Sequence, residues 1–188
     1  MILRNNYEYA EGATFWFTGM SGAGKTTLAR RLEAELRTRR LRVEVLDGDL
    51  VRQNLSKGLG FTKADRDTNV RRIGFVCDLL SRNGVFAIAA VISPYRESRQ
   101  AVRRVHEPRR FVEIFVDCPL EDLIKRDAKG LYKQALQGEI PNFTGVSDPY
   151  EPPETPEIWL HTHRETEDES FSKIIRWLEN SSHVNSAK

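Results

Sequence analysis

The chain has 188 residues, with 29 Lys and Arg against 27 Asp and Glu and a formal net charge of +2. That length suits one compact domain with a core of its own. The near-balanced charge lacks the basic excess of a dedicated nucleic-acid binder, and no stretch approaches the ~20 apolar residues of a membrane span, so neither nucleic acid nor a membrane is expected as a partner.

In chain order, residues 1–12 read as a polar N-terminal extension with no apolar core of a secretory signal. "ATFWFT" (13–18) reads as a buried strand. The next stretch, from Lys25 to about Arg40, sets Leu28, Leu32 and Leu36 at helical spacing. "RVEVLD" (42–47) reads as a second strand. A helix over about 65–81 aligns Val70, Ile73, Cys77 and Leu80 and stops at Asn83-Gly84. "VFAIAAVI" (85–92) and "FVEIFV" (111–116) are two more strands, followed by helices near 94–106 and 119–127. "EIWLHT" (157–162) is a fifth strand, and a helix over about 168–179 completes a domain spanning 13–180. The end, 181–188, reads as disordered. Alternating helices and near-continuous apolar strands predict an α/β fold: a parallel five-stranded sheet with helices on both faces. Residues 128–156 interrupt this rhythm with five of the eight prolines and three glycines. A connection that long reads as a lid or as an irregular surface loop. Cys77 and Cys118 lack metal-ligand spacing and read as core thiols in a reduced, cytoplasmic setting.

"TGMSGAGKTTLA" (18–29) carries Gly19-x-x-x-x-Gly24-Lys25-Thr26 between a strand and a helix, the context a phosphate-binding loop requires. Around Gly19, Ser21, Gly22, Ala23 and Gly24 the backbone N–H groups can turn inward on phosphate oxygens. Lys25 then reaches the terminal phosphates, Thr26 offers its hydroxyl to Mg²⁺, and Thr27 continues the helix N-terminus, whose field favours anions. Thr62-Lys63-Ala64-Asp65 sits too early to read guanine. It is an N-cap with Asp65 at the third helical position. ATP is therefore the expected nucleotide. The strand that would carry a metal-binding aspartate ends in Ser93 instead, leaving Mg²⁺ to Thr26, phosphates and water, with help from Asp47.

Asp47 and Asp49 follow the second strand, at the sheet edge where ligands of open α/β sheets sit. With Arg52 they could orient a hydroxyl and hold an anion, or form a solvated Asp-Gly turn. On a helical wheel Arg66 and Asn69 share the inward side with Val70, Ile73 and Cys77, whereas Arg71 and Arg72 point away. An inward arginine needs a partner, either a protein carboxylate or a ligand anion. Phe61 and Phe143 have no core pattern and could stack a planar base.

At these residues the sequence resembles adenylylsulfate kinases. The runs are "FTGMSGAGKTTLA", "LDGDLVRQNLSKGLGFTKADRDTNVRRIGFV", "VISPYR" and "RDAKGLYKQALQGEIPNFTGVSDPYEPPETPEI", together covering about residues 13–160. The resemblance implies a phosphate-loop kinase that uses MgATP to phosphorylate the 3′-hydroxyl of adenosine 5′-phosphosulfate (APS), giving 3′-phosphoadenylylsulfate (PAPS) and ADP. It further implies that Gly22 to Thr27 hold the ATP phosphates and that Arg126 packs near the ATP base. Asp49 through Arg52, Arg66 and Asn69 would hold APS, whose adenine lies between Phe61 and Phe143. Ile92, Ser93 and Thr144 would line that site, with Lys129 joining from the lid. Ser93 matches a serine labelled a phosphoserine intermediate in the family, yet direct in-line transfer needs only positioning and charge neutralisation. Both roles for Ser93 stand at this level, as do both Asp47 and Asp49 as the base. A homodimer and a sulfate adenylyltransferase partner are implied by the same resemblance. Two departures stand out. Leu136 replaces a lid arginine, and "HTHRE" replaces an Asp-Thr pair after the fifth strand. A kinase for another small hydroxyl compound and a catalytically silent nucleotide-binding domain are the rival readings.

Overall fold

The computed structural model describes residues 12–106, 110–127 and 129–181, with the side chains of 49 and 50 excepted. The expected extension at 1–12 therefore lies outside the described residues except for Gly12, and the expected disorder after 181 lies outside them altogether. Five strands, β1 (Thr14–Thr18), β2 (Val43–Asp47), β3 (Phe86–Ala90), β4 (Phe111–Asp117) and β5 (Ile158–His161), form one parallel sheet in the order β2-β3-β1-β4-β5. Seven helices lie among the described residues: α1 (Lys25–Thr38), α2 (Gly48–Asn54), α3 (Lys63–Ser81), α4 (Arg96–Val105), α5 (Leu120–Arg126), α6 (Leu131–Leu136) and α7 (Glu167–Asn180). Among these residues, no helix is long and apolar enough to cross a membrane.

The alternation of side chains along a strand explains why both faces are covered. On β1, Phe15 and Phe17 pack in one core with Leu28, Leu32 and Leu36 of α1 and Ile174 and Leu178 of α7. Trp16, between them, packs in a second core with Val70, Ile73 and Cys77 of α3 and Val102 of α4. Strand β3 divides the same way, with Phe86 and Ile88 in the first core and Ala87 and Ala89 in the second. The sheet is thus buried on both faces, and its loops at the carboxyl edge are left to bind.

Local chemistry sets the ends of the elements. Thr62 caps α3, its hydroxyl oxygen accepting from the Asp65 N–H at 3.2 Å, a bond that typically contributes ~1 kcal/mol. Thr166 and Glu169 form a reciprocal capping box on α7. Helix α1 stops at Thr38, short of the expected Arg40, because Arg40 turns to φ 60. Strand β3 ends at Ala90 rather than 92, because the chain leaves the sheet toward Ser93 at φ 40. Residues 129–156 are partly regular. They contain α6, then a tight turn over 142–148 in which Gly145 N–H donates to the Asp148 carbonyl at 2.7 Å.

His106 ends α4, and a buried chain of bonds holds its ring. Its Nδ1 donates to the Val102 carbonyl at 2.9 Å and its Nε2 lies 2.9 Å from the Thr14 hydroxyl. Burial lowers its pKa from the ordinary value, Val102 and Asp78 oppose this, and Arg110 adds to it. Between the ordinary and the lowered value the unfolded chain binds more protons, so this stability is full above about pH 6.5 and is lost as pH falls. The expected result is a wild-type melting temperature that drops more steeply from pH 7 to pH 5 than that of His106→Gln. Parallel slopes would show that His106 is not the titrating group.

Candidate active site

The carboxyl edge of β1, β2 and β3 opens on one cavity of about 450 Å³. The phosphate loop follows β1 and forms one wall, with Ser21, Gly22, Lys25 and Thr26 lining it. Two glycines are required here. Gly24 begins α1 at φ 105, a backbone region other residues rarely adopt. A Cβ on Gly19 would lie 2.4 Å from the Val116 carbonyl oxygen, so the loop can lie against β4 only with glycine there. Ala23 is buried beneath the loop and Thr27 is exposed beyond it.

Lys25 is buried, and its ammonium donates to the Met20 carbonyl at 2.8 Å. Burial, then nearby Lys129, lower its pKa to about 8, with Asp47 pulling the other way. A buried cation so poorly compensated is the counterpart of an anion. Bound phosphates would restore the ordinary value, so at pH 8 nucleotide binding should take up about half a proton at Lys25 and nearly none at pH 7. Calorimetry in buffers of different ionisation enthalpy measures this, with the nucleotide's own protons subtracted. Equal uptake at the two pH values would contradict the shift.

Strand register places the first acid at the cavity. Asp47 ends β2 opposite Ala90, and the Thr26 hydroxyl donates to its Oδ2 at 3.2 Å. A hydroxyl beside a carboxylate is an oxygen donor set suited to a hard cation, so Thr26 and Asp47 fit Mg²⁺ carried in with the phosphates. Asp49 belongs to α2, but its side chain lies outside the described residues.

Arg52, Phe61, Arg66, Asn69, Ile92, Ser93, Lys129, Phe143 and Thr144 all line the same cavity as the phosphate loop. Arg66 and Asn69 are buried on the inward side of α3. The buried Asn69 Oδ1 and Thr144 Oγ1 have no hydrogen-bond partner among the described residues, and both residues line the cavity, so each atom is available to a polar group placed there. The Arg52 guanidinium lies 4.2 Å over the Phe61 ring, and Phe143 meets Tyr132 edge-on at 5.1 Å. Arg66 has a protein carboxylate as one partner, Asp148 at 3.7 Å, and it also lines the cavity.

Ser93 is held from three sides. Its Oγ accepts from Trp16 Nε1 at 3.1 Å and donates to Thr18 Oγ1 at 2.9 Å, while Arg99 Nη1 donates to its carbonyl at 2.7 Å. Among the described residues no carboxylate or imidazole is bonded to that hydroxyl. Arg126 is not part of the cavity lining. Its Nη2 donates to the Thr162 carbonyl at 2.6 Å, and Thr162 Oγ1 donates to the Ala23 carbonyl at 3.0 Å. The "HTHRE" stretch is thereby braced against the phosphate loop. Tyr132 of α6 had drawn no role from the sequence, yet its hydroxyl donates to the Ser21 carbonyl at 2.8 Å while its ring supports Phe143. It ties the phosphate loop to the segment that carries Phe143.

The family model for adenylylsulphate kinase matches residues 11–161. The chain belongs to the adenylylsulphate kinase family. A probable adenylyl-sulfate kinase of Pseudomonas aeruginosa is 57% identical over 165 residues, covering 88% of this chain and 76% of the relative. A probable bifunctional SAT/APS kinase 2 of Sorangium cellulosum is 58% identical over 173 residues. That match takes in 92% of this chain but only 29% of the relative. Among solved structures, the Mycobacterium tuberculosis APS kinase CysC in complex with AMPPNP and APS superposes with a TM-score of 0.85. It is 42% identical, with 90% of this chain and 98% of that one covered. The five-stranded parallel sheet with its phosphate loop is the fold this adenylylsulphate kinase family member shares with that structure.

Proposed function

We propose that this chain transfers the γ-phosphoryl group of ATP to the 3′-hydroxyl of APS, giving PAPS and ADP. The observation that carries the reading is the single cavity in which the phosphate loop faces Phe61, Arg66, Asn69 and Phe143. A donor and an acceptor can meet there without crossing solvent. In this reading ATP lies on the loop, its phosphates held by backbone N–H groups and by Lys25. Mg²⁺, held by Thr26 with Asp47 beside it, neutralises charge on the transferring group when bound. APS lies between Phe61 and Phe143, with Asn69 and Thr144 offering their buried polar atoms and Arg52, Arg66 and Lys129 supplying positive charge.

Asp47 is already engaged by Thr26, so we assign the orientation of the 3′-hydroxyl, and receipt of its proton, to Asp49. Ser93 takes no covalent part in this reading, because its hydroxyl is committed to Trp16 and Thr18. The segment 128–156 serves as the lid. Closing it excludes water that would otherwise hydrolyse ATP. A kinase domain over 13–180, Arg126 beside the ATP base and a cytoplasmic setting complete the proposal. A sulfate adenylyltransferase partner is supported by the bifunctional relative. A homodimer is supported by the exposure of Phe75 and Leu79 one turn apart on α3.

The test is incubation with ATP, Mg²⁺ and APS, with gluconate and adenosine as alternative acceptors. PAPS and ADP in equal amounts, with no product from the other acceptors, is the expected result. Phosphorylation of another acceptor in preference to APS would overturn the assignment.

A further inference from the structure

Phe61 and Phe143 lie far apart in sequence, and Arg66 bridges the two segments that carry them. Its Nε donates to the Phe61 carbonyl at 3.0 Å, and its Nη2 donates to the Asn142 carbonyl, next to Phe143, at 2.6 Å. Asn142 sits at φ 54, a left-handed conformation that persists only where its surroundings hold it. The guanidinium therefore does more than wait for an anion. Two of its three nitrogens frame the acceptor slot.

A carboxylate is paired with Arg66 as well. Asp148 Oδ2 is 3.7 Å from Arg66 Nε and accepts the Tyr95 hydroxyl at 2.6 Å. Tyr95 is buried and precedes α4 at its N-cap position. Burial first, and then Asp148, push its hydroxyl up to about 12, so it remains a donor at neutral pH. Asp148 also closes its own turn. Its N–H donates to the Phe143 carbonyl at 3.1 Å, and the Ser147 hydroxyl accepts the Phe143 N–H at 3.0 Å. Three residues further on, the chain is moored to α4. Arg96 N–H donates to Glu151 Oε2 at 2.7 Å, and Arg99 Nη2 donates to the Glu151 carbonyl at 2.6 Å. Arg99 is itself buried against Glu113 at 2.8 Å. The turn thus has a fixed stem on α4 and a free face, Phe143 and Thr144, on the cavity.

We infer that Asp148 and Tyr95 are positioning residues for the acceptor. They hold the Arg66 guanidinium in the one orientation that spans both carbonyls, and so set the gap between the Phe61 and Phe143 walls. The inference rests on the reading that this cavity takes APS. A purine slot of fixed width admits a flat base and leaves the remaining Arg66 nitrogen for its anionic tail. Asp148→Asn keeps an acceptor for Tyr95 but removes the charge opposite Arg66. Tyr95→Phe removes one hydrogen bond and keeps the ring.

The experiment compares wild type, both single variants and the double variant in steady-state kinetics and amide exchange. The expected result for Asp148→Asn is a KM for APS raised about tenfold, as Arg66 loses the charge paired with it at 3.7 Å. The KM for ATP stays unchanged and kcat falls by less than KM rises. The double variant should lose much less than the sum of the singles, because both act through one contact. The amides of Gly145, Val146 and Asp148 should exchange faster in both singles. An unchanged KM for APS in a variant set whose wild type phosphorylates APS overturns the inference and leaves the function standing. So does an equal loss for both substrates with a lowered melting temperature, which marks a merely structural role. If the wild type does not phosphorylate APS, the functional reading falls. The exchange rates then decide the positioning alone: faster exchange supports it and unchanged exchange overturns it.

Discussion

Lys25→Ala should lower kcat for APS phosphorylation by about 10²–10³, the usual cost of removing one preorganised charge from a transferring group. The direction follows from the geometry. Lys25 is anchored at the Met20 carbonyl and lines the cavity, where burial and Lys129 disfavour its charge more than Asp47 favours it. Its charge is therefore most stabilised when negative charge builds up on the donor phosphates. Folding should not suffer, because the substitution removes a desolvated cation rather than a packing contact. Single-turnover measurement of the chemical step, beside a melting curve, checks both halves. A raised KM for ATP with kcat unchanged would mean that Lys25 binds ground and transition states equally, contrary to its assigned role.

Asp49→Asn should cut kcat by about 10²–10⁴, the range for loss of a positioned general base, while leaving ATP affinity near the wild-type value. Asp47→Asn should behave differently. Thr26 bonds to that carboxylate, so its loss should raise the Mg²⁺ concentration needed for half-maximal rate. The two aspartates are thus separable by titrating the metal in each variant. Wild-type turnover in Asp49→Asn would remove that residue from the reaction, and a metal dependence shifted only in Asp49→Asn would exchange the two roles.

The parts of this molecule legible in its sequence are those fixed by local spacing. The phosphate loop could be read because its glycines and Lys25 act within eight residues, between a strand and a helix. The inward side of α3 could be read because Arg66, Asn69, Val70, Ile73 and Cys77 keep helical phase over three turns. Helices α2 and α6 were not legible. At seven and six residues they are too short for a periodic apolar stripe, and Gly130 starts α6 at φ 68, which on the page looks like another loop glycine. Contacts across the chain were equally hidden. Tyr132 to Ser21, Tyr95 to Asp148 and Arg99 to Glu151 join segments whose proximity only the closed sheet creates. Nor did the sequence choose between a carboxylate and an anion for Arg66, because burial demands a partner without naming it. In the fold Asp148 lies 3.7 Å from the guanidinium, and Arg66 also lines the cavity.

The most direct measurement is a crystal structure of this chain with APS and a non-hydrolysable ATP analogue bound together. The account predicts APS in the cavity between Phe61 and Phe143, its ribose 3′-oxygen about 3–3.5 Å from the terminal phosphorus and in line with the bridging atom behind it. APS seated outside that cavity, or with its 3′-oxygen turned away from the phosphate loop, would contradict it.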